Sequence, residues 1–485
     1  MRQARHWAGG TYVKLYQAFR FELDPCDRAR SALASHAGAA RFAYNWGLVM
    51  VTGQLQAHRA LVELALRQGA RADQAVAWAS EVTSPVPWSL PALRRRWNQE
   101  KAEVAPWWAE NSKEAYNSGL DALARALKGF LSSRSGRRSG KPVGFPKVKN
   151  KRCRRSFRVT TGSFGVIDHR HVRLPRIGIL RTKEPTTKLA KKLNAGSARV
   201  LSASASGQAG RWYVSFTCEV ERPDVVVRIA PVVGVDVGAR SMAVLSSGKA
   251  VPAPKQLSRY ARRMDRLQKE CSRRQGPAKG RQPSRRWRQS KDRLARTHAK
   301  VANARADSLH KLTTSLARTY GTVVVEDLNV FGLTGSARGS GNWRGKAGLN
   351  RALLNCSAAE LRRQLTYKSK WYGATLVVAD RWYPSSKTCS RCKAVKAKLA
   401  LSERSYNCES CGLVIDRDHN AALNLAALVA VTGTASGAAT DQRQLVNAQG
   451  EAKFMATARC ASPNCEDGSG QPGKAATAAE QSTAA

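Results

Sequence analysis

The chain opens on an alternating pattern. Residues 11–23 (TYVKLYQAFRFEL) carry apolar or β-branched side chains at nearly every second position, which predicts a strand. Residues 27–130 change period: glycine is scarce, and Ala, Leu, Arg and Trp recur at helical spacing. Several helices are predicted there, broken near Pro85, Pro87 and Pro91. Residues 159–220 return to short alternating strands, among them VRLPRIGIL and RWYVSFTCEV. This order implies a helical insert between β segments, with strand 11–23 pairing with the later ones. A second block begins near Pro231. VVGVDVGARSMAVLSSG reads as strand, turn, strand; residues 257–320 form a long helical stretch; TVVVEDL is a short apolar strand. A Gly-rich loop at 332–348, a helix, the strand ATLVVAD, a cysteine-bearing segment and a last helix from 420 to about 430 complete the order.

Charge then narrows the class. The 485 residues suffice for about three domains at roughly 100–200 residues each. Lys and Arg number 82 against 34 Asp and Glu, a formal net charge of +48, which calls for a polyanionic partner such as nucleic acid. The excess is concentrated. Residues 134–158 hold eleven Lys or Arg and no acid, punctuated by Gly and Pro as a basic loop. Residues 259–305 hold seventeen Lys or Arg against three acids, a one-signed face suited to tracking phosphates. Residues 431–485 are different: 30 of the 55 are Ala, Gly, Ser or Thr, and the net charge is −1, so a disordered tail is expected, with Cys460 and Cys465 as free thiols. No run of 18 apolar residues and no secretory leader is found, and the cysteines are odd in number, so an intracellular, cytoplasmic protein is expected, nucleoid-associated when bound to DNA.

Two groups of residues carry chemistry. Cys389-Ser-Arg-Cys392 and Cys408-Glu-Ser-Cys411 are CxxC knuckles fifteen residues apart, a spacing that lets four thiolates surround one Zn²⁺ in a closed, structural site. Three acids stand on separate elements: Asp236 in VVGVD, Glu326 at the end of TVVVE, and Asp418 in IDRDHNAALNL. An acid at the end of a buried strand needs a compensating cation or hydrogen bonds. Three could hold two Mg²⁺ ions about 3.5–4 Å apart, as in nucleases and polymerases, or each could serve as an ordinary cap or ion pair.

GVDVGARSMAVLSSG, VVVEDLNVFGL, RRQLTYKSKWYG with ADRWYPSSKTCSRC, and YNCESCGLVIDRDHNAALNL resemble the RuvC block of the TnpB family, transposon-encoded RNA-guided DNA nucleases, and of the miniature type V CRISPR effectors related to them. ARFAYNWGL, GFPKVKN with SFRV, VRLPRIGILR and AGRWYVSF resemble the family's N-terminal half. The resemblance implies an α/β multidomain fold. A β-barrel wedge domain, residues 1–26 and 134–230, carries an inserted helical recognition domain, 27–133. An RNase H-like RuvC nuclease, 231–385 and 415–430, includes the basic helices 257–320 and carries an inserted zinc ribbon, 386–414. It further implies Asp236, Glu326 and Asp418 as the catalytic, Mg²⁺-holding acids and Cys389, Cys392, Cys408 and Cys411 as the zinc ligands. Asp416 also resembles a family position; Asp327 would point to the opposite face of its strand, and Asp380 reads as structural. Lys393 stands where the family commonly has Gly, and residues 50–115 are longer than in compact members.

The function these readings imply is RNA-guided cleavage of double-stranded DNA, with guide RNA supplying sequence specificity and the protein reading a short flanking motif. Arg41, Tyr44, Asn45, Lys147, Lys149, Arg154, Arg155, Arg285 and Arg286 are the candidate nucleic-acid contacts. The guide could be a transposon-end RNA or a CRISPR RNA. The alternatives are an RNA-guided or unguided DNA-binding protein with little cleavage activity, or a strand transferase, for which no strand-transfer constellation stands out.

Overall fold

The computed structural model describes residues 6–7, 10–138, 140–151, 153–238, 241–254, 256–278, 280–336, 343–400 and 403–432. Of the tail expected at 431–485, residues 431 and 432 belong to the last helix; the rest, with Cys460 and Cys465, lies outside the described residues. No helix among the described residues is long and apolar enough to cross a membrane.

In the N-terminal half, β1 (His6–Trp7) and β2 (Gly10–Leu23) precede α1 (Asp27–Arg67), α2 (Ala72–Val82), α3 (Leu90–Val104) and α4 (Lys113–Arg134). Then come β3 (Arg155–Val159), β4 (Gly165–Val166), β5 (His171–Leu174), β6 (Gly178–Arg181), α5 (Thr187–Asn194), β7 (Ala198–Gln208) and β8 (Arg211–Pro223). The alternating strand pairs along its length with β8, from Tyr12 opposite Pro223 to Leu23 opposite Trp212. β7 and β8 are joined by Ala209 and Gly210, both at positive φ (51° and 75°), the geometry that matches a tight turn to strand twist. Pro91 sits in the first turn of α3, where a missing N–H is tolerated, so the proline cluster separates α2 from α3 as expected. At Gly119 an added Cβ would lie 2.1 Å from the carbonyl oxygen of Ala40, so α4 and α1 cross backbone to backbone.

The expected barrel does not close. The sheet runs β1-β2-β8-β7-β3, and β4-β5-β6 form a separate three-stranded sheet, joined to it by a bridge between Leu23 and Thr182. Side chains of α4 occupy the outer edge of β3. Arg158 N–H donates to Ser118 Oγ (3.0 Å), and a carboxylate oxygen of Glu114 accepts from the backbone N–H groups of Thr160 (2.7 Å) and Thr161 (3.2 Å). Helix side chains thus take one donor on β3, at Arg158, and two just past its end, at Thr160 and Thr161.

The C-terminal half begins with β9 (Val232–Asp236), β10 (Ser241–Leu245), β11 (Ala250–Pro252), α6 (Gln256–Arg273), α7 (Arg285–Thr319) and β12 (Thr322–Glu326). It continues with α8 (Val330–Leu333), α9 (Trp343–Cys356), α10 (Ala358–Tyr372), β13 (Thr375–Ala379), β14 (Ser405–Asn407), β15 (Val414–Asp416) and α11 (Arg417–Thr432). The expected helical stretch 257–320 is two helices, divided where Gly276, Pro277 and Pro283 interrupt the pattern. The expected loop 332–348 is partly helical, since α8 and α9 run into it. The final helix starts at Arg417, not 420.

The sheet order is β11-β10-β9-β12-β13; β9, β12 and β13 run parallel, with Val325 opposite Val235 and Glu326 opposite Ala379. Side-chain parity sorts the residues between two cores. Val233, Val235, Val323 and Val325 pack with Leu309, Leu312 and Leu316 of α7 and Leu361 and Leu365 of α10. Val232, Val324 and Val377 pack on the other face with Leu425 and Leu428 of α11.

Glu114 provides a test of the edge contact. Burial raises its pKa, but hydrogen bonds from Thr160, Asn117 and Thr161 outweigh this and hold it below the ordinary value of 4.5. Its contribution is therefore complete at neutral pH and is lost as pH falls through the lowered value. Glu114→Ala, which strands those donors, is expected to lower unfolding free energy by about 2–3 kcal/mol in urea titrations at pH 7, and by less at pH 3–4.

Candidate active site and metal centre

Parity carries Asp236 and Glu326 to the strand ends on one face. Asp236 is in step with Val232 and Gly234, and Glu326 with Val324, so both belong to the face that α11 covers. Gly234 sets how close that helix comes: an added Cβ would lie 1.9 Å from Ala422 O and 2.6 Å from Ala426 N. Ala422 is one turn after Asp418, so this contact brings the first turn of α11 to the end of β9. A Cβ at Gly238 would stand 3.5 Å from Asp418 Oδ2.

Three acids distant in sequence therefore share one electrostatic site. Asp236 is 8% exposed. Burial pushes its pKa well above the usual carboxylate range; the charges of Glu326 and Asp418 add to the rise, and Arg417 offsets part of it. A hard divalent cation relieves both causes, since it replaces lost solvation and neutralises like charge. The oxygen donors fit such an ion.

Neighbouring acids have other tasks. Asp416 Oδ1 accepts from the N–H groups of Asp418 and His419, each at 3.0 Å, so Asp416 caps α11 and Asp418 does not have to. Asp327 has the opposite parity and pairs with Arg362 and with Arg381 (2.8 Å). Asp380 Oδ1 accepts from Trp382 N–H at 2.8 Å in a local turn.

The four cysteines form one cluster, their sulfurs all within 4.8 Å of one another. Cys389 and Cys411 Sγ are 3.6 Å apart, and Cys392 and Cys408 Sγ 3.5 Å. A metal 2.3 Å from four thiolates spaces their sulfurs about 3.8 Å apart, so this set could hold a tetrahedral ion. Backbone N–H groups of Cys411 and Ser410 and the Cys392 side chain bring the Cys408 thiol down to about 6, while the neighbouring thiols push Cys392 up to about 12, a crowding of sulfur charge that a bound cation would relieve. The two knuckles are built alike: Lys393 N–H donates to Cys389 O (3.1 Å), and Gly412 N–H to Cys408 O (3.0 Å). Gly412 has φ +70° and Lys393 φ +64°, so the lysine takes a left-handed conformation that glycine adopts without strain.

Sequence reasoning missed the residues that join the cysteine-bearing segment to the helix that carries Asp418. Asn420 and Asn424, both fully buried, lie one turn apart on α11. Asn420 Nδ2 donates to Thr388 O (2.7 Å), and its Oδ1 accepts from Ser390 N–H (2.9 Å). Asn424 Nδ2 donates to Ser385 O (2.9 Å) and Thr388 O (2.6 Å). The available signal was the pair of asparagines at i, i+4 in NAALN, polar positions on an otherwise apolar helix.

The candidate nucleic-acid contacts fall into two groups. Asn45 donates to Lys149 O (2.9 Å) and accepts from Lys149 N–H (2.8 Å), while Lys149 Nζ lies 3.7 Å from the centre of the buried Tyr44 ring. Tyr44 and Asn45 thus fasten the basic loop to α1, near half-buried Arg41. Lys147, Arg154, Arg155, Arg285 and Arg286 are exposed, Arg154 reaching Ser206 Oγ at 3.3 Å.

Three family models match. One described as "Probable transposase" covers residues 215–337, a "Cas12f1-like, TNB domain" covers 359–425, and a "Helix-turn-helix domain" covers 15–59. In this structure residues 15–59 are the end of β2 and most of the single long helix α1. A Mycobacterium tuberculosis protein is 36% identical over 430 residues, 84% of this chain and 86% of the relative. An Escherichia coli K12 protein named "Putative RNA-guided DNA endonuclease InsQ" is 27% identical over 422 residues, 86% of this chain and 92% of that one. The mycobacterial relative bears the same description. Among solved structures, a chain from the "Cryo-EM structure of the Cas12f1-sgRNA-target DNA complex" aligns over 85% of this chain and 99% of its own, at 14% identity and a TM-score of 0.42.

The thiol cluster predicts the protein's metal content. Purified protein is expected to carry about one thiolate-bound divalent metal per chain by elemental analysis, and Cys408→Ser to lose both that metal and much of the folded yield.

Proposed function

The chain belongs to the TnpB family, and we propose that it acts as an RNA-guided DNA endonuclease, hydrolysing the phosphodiester backbone at the site built by Asp236, Glu326 and Asp418. The observation that carries this reading is geometric: Asp236 and Glu326 end neighbouring parallel strands on the face that α11 covers, and the close approach of α11 at Gly234 brings Asp418 up beside them, so that both charges bear on buried Asp236. A fold spends stability on such a cluster where a cation is to be held.

In this reading the three carboxylates hold two Mg²⁺ ions, which when bound activate water and stabilise the departing 3′-oxygen. The protein's own part is geometric. β9 and β12 present Asp236 and Glu326 at their C-terminal ends, the close approach at Gly234 brings up Asp418, and Asp416 keeps the helix end capped. The four cysteines hold one structural Zn²⁺. Guide RNA and the RNA–DNA heteroduplex lie along the basic loop 134–158 and the basic face of α6 and α7, with sequence read by base pairing and a short flanking DNA motif read by the N-terminal half. Recognition and wedge functions fall to α1–α4 and the two N-terminal sheets, and the nuclease to the half that starts at β9.

Two experiments test this. Asp236→Asn, Glu326→Gln and Asp418→Ala are each expected to lower Mg²⁺-dependent cleavage at least about a hundredfold while guide-dependent DNA binding persists. Asp236→Asn should also melt no lower than wild type without divalent cations, because it removes a disfavoured buried charge. A well-folded Asp418→Ala protein that cuts at wild-type rate would overturn the assignment. In the second, replacing the guide's targeting segment is expected to move the cut to the newly matched DNA beside the same flanking motif, read by sequencing the ends; a cut that stays in place refutes RNA guidance.

A further inference from the structure

The segment from 380 to 388 links β13 to the first cysteine knuckle. It lies outside the sheet, yet it is bound from two sides. Asn424 Nδ2 donates to the carbonyls of Ser385 and Thr388, Asn420 Nδ2 to Thr388 O, and Tyr383 Oη to Asn424 O (3.4 Å). On the other side, the Ser385 hydroxyl donates to Glu326 Oε1. Ser385 is 3% exposed, so water does not compete freely for this bond.

We propose that Ser385 is a positioning residue for Glu326, and that the ribbon's docking on Asn420 and Asn424 sets the orientation of that carboxylate. The inference rests on the nuclease reading of the acid cluster. A glutamate at a strand end has three side-chain torsions to fix before it can serve as a ligand. A charge-assisted hydrogen bond to one oxygen restricts them and leaves the second oxygen for a cation. The serine is held in turn, since Asn424 grips its carbonyl from the helix whose first turn carries Asp418. Two of the three acids are thereby coupled through a single pair of side chains, Asn424 and Ser385. The ribbon thus acts on the acid cluster without contributing a ligand to it.

The test uses the guide-bound protein with Ser385→Ala and Ser385→Thr. Ser385→Ala is expected to raise the Mg²⁺ concentration for half-maximal single-turnover cleavage about tenfold, while target-DNA affinity and metal content of the cysteine cluster stay at wild-type values. Ser385→Thr, which keeps the hydroxyl, is expected to restore most of the loss. A readout independent of turnover is the Mg²⁺-induced rise in melting temperature, less the rise in the Asp236→Asn complex, which removes the contribution of the RNA. That difference should shrink in Ser385→Ala and return in Ser385→Thr. An unchanged Mg²⁺ dependence and melting difference in Ser385→Ala, or equal impairment in both variants, overturns the proposal. If the wild-type complex itself fails to cut DNA, the nuclease reading falls, and the melting comparison alone decides the role of Ser385.

Discussion

The geometry of the acid cluster follows from how closely α11 approaches the central strand. Gly234 meets the helix backbone at Ala422 and Ala426 with no room for a side chain. Any larger residue would lift the helix, and with it Asp418, away from Asp236. The approach places negative charge against negative charge. With the folded pKa of Asp236 above its ordinary value of 3.8, ionisation weakens the native state as pH rises through and beyond that value, until a cation compensates. The apolar packing of Val324, Leu425 and their neighbours holds the helix against this repulsion.

Local features were legible in the sequence where one segment carried the whole signal. The alternation of 11–23, the apolar runs VVGVD and TVVVE, and the paired CxxC spacing each specify an element or a cluster without help from elsewhere. Parity along TVVVED already separates Glu326 from Asp327, and the structure gives the latter to Arg362 and Arg381. What escaped the sequence depends on partners in space. Whether the N-terminal strands close into a barrel depends on which edges pair in space, and β3 there meets a side chain of α4 instead of another strand, which strand periodicity cannot register. The division of cap and cluster between Asp416 and Asp418 is a matter of two residues, within the range where sequence-based helix boundaries blur. The tie from Asn424 through Ser385 to Glu326 crosses three segments.

The basic residues are organised on two levels. Asn45 and Tyr44 hold the backbone and ammonium group of Lys149. Asn45 therefore spends one amide donor and one acceptor site on the loop, and a base contact would have to share the remaining ones. Exposed Lys147, Arg154, Arg155, Arg285 and Arg286 have their charge at the surface, where phosphates can be met at little reorganisation cost. The loop is therefore anchored at Lys149, while the exposed charges on either side of that anchor stay adaptable.

The bonds of Ser118 to β3 and of Glu114 to the residues just after it have a consequence for the protein in concentrated solution. An open sheet ends in a row of unsatisfied backbone groups, onto which a strand from another molecule can add. Here the donors of Arg158, Thr160 and Thr161 are already engaged by α4. A foreign strand arriving at this margin would have to displace a buried carboxylate, so the missing barrel closure need not leave the sheet a template for self-association.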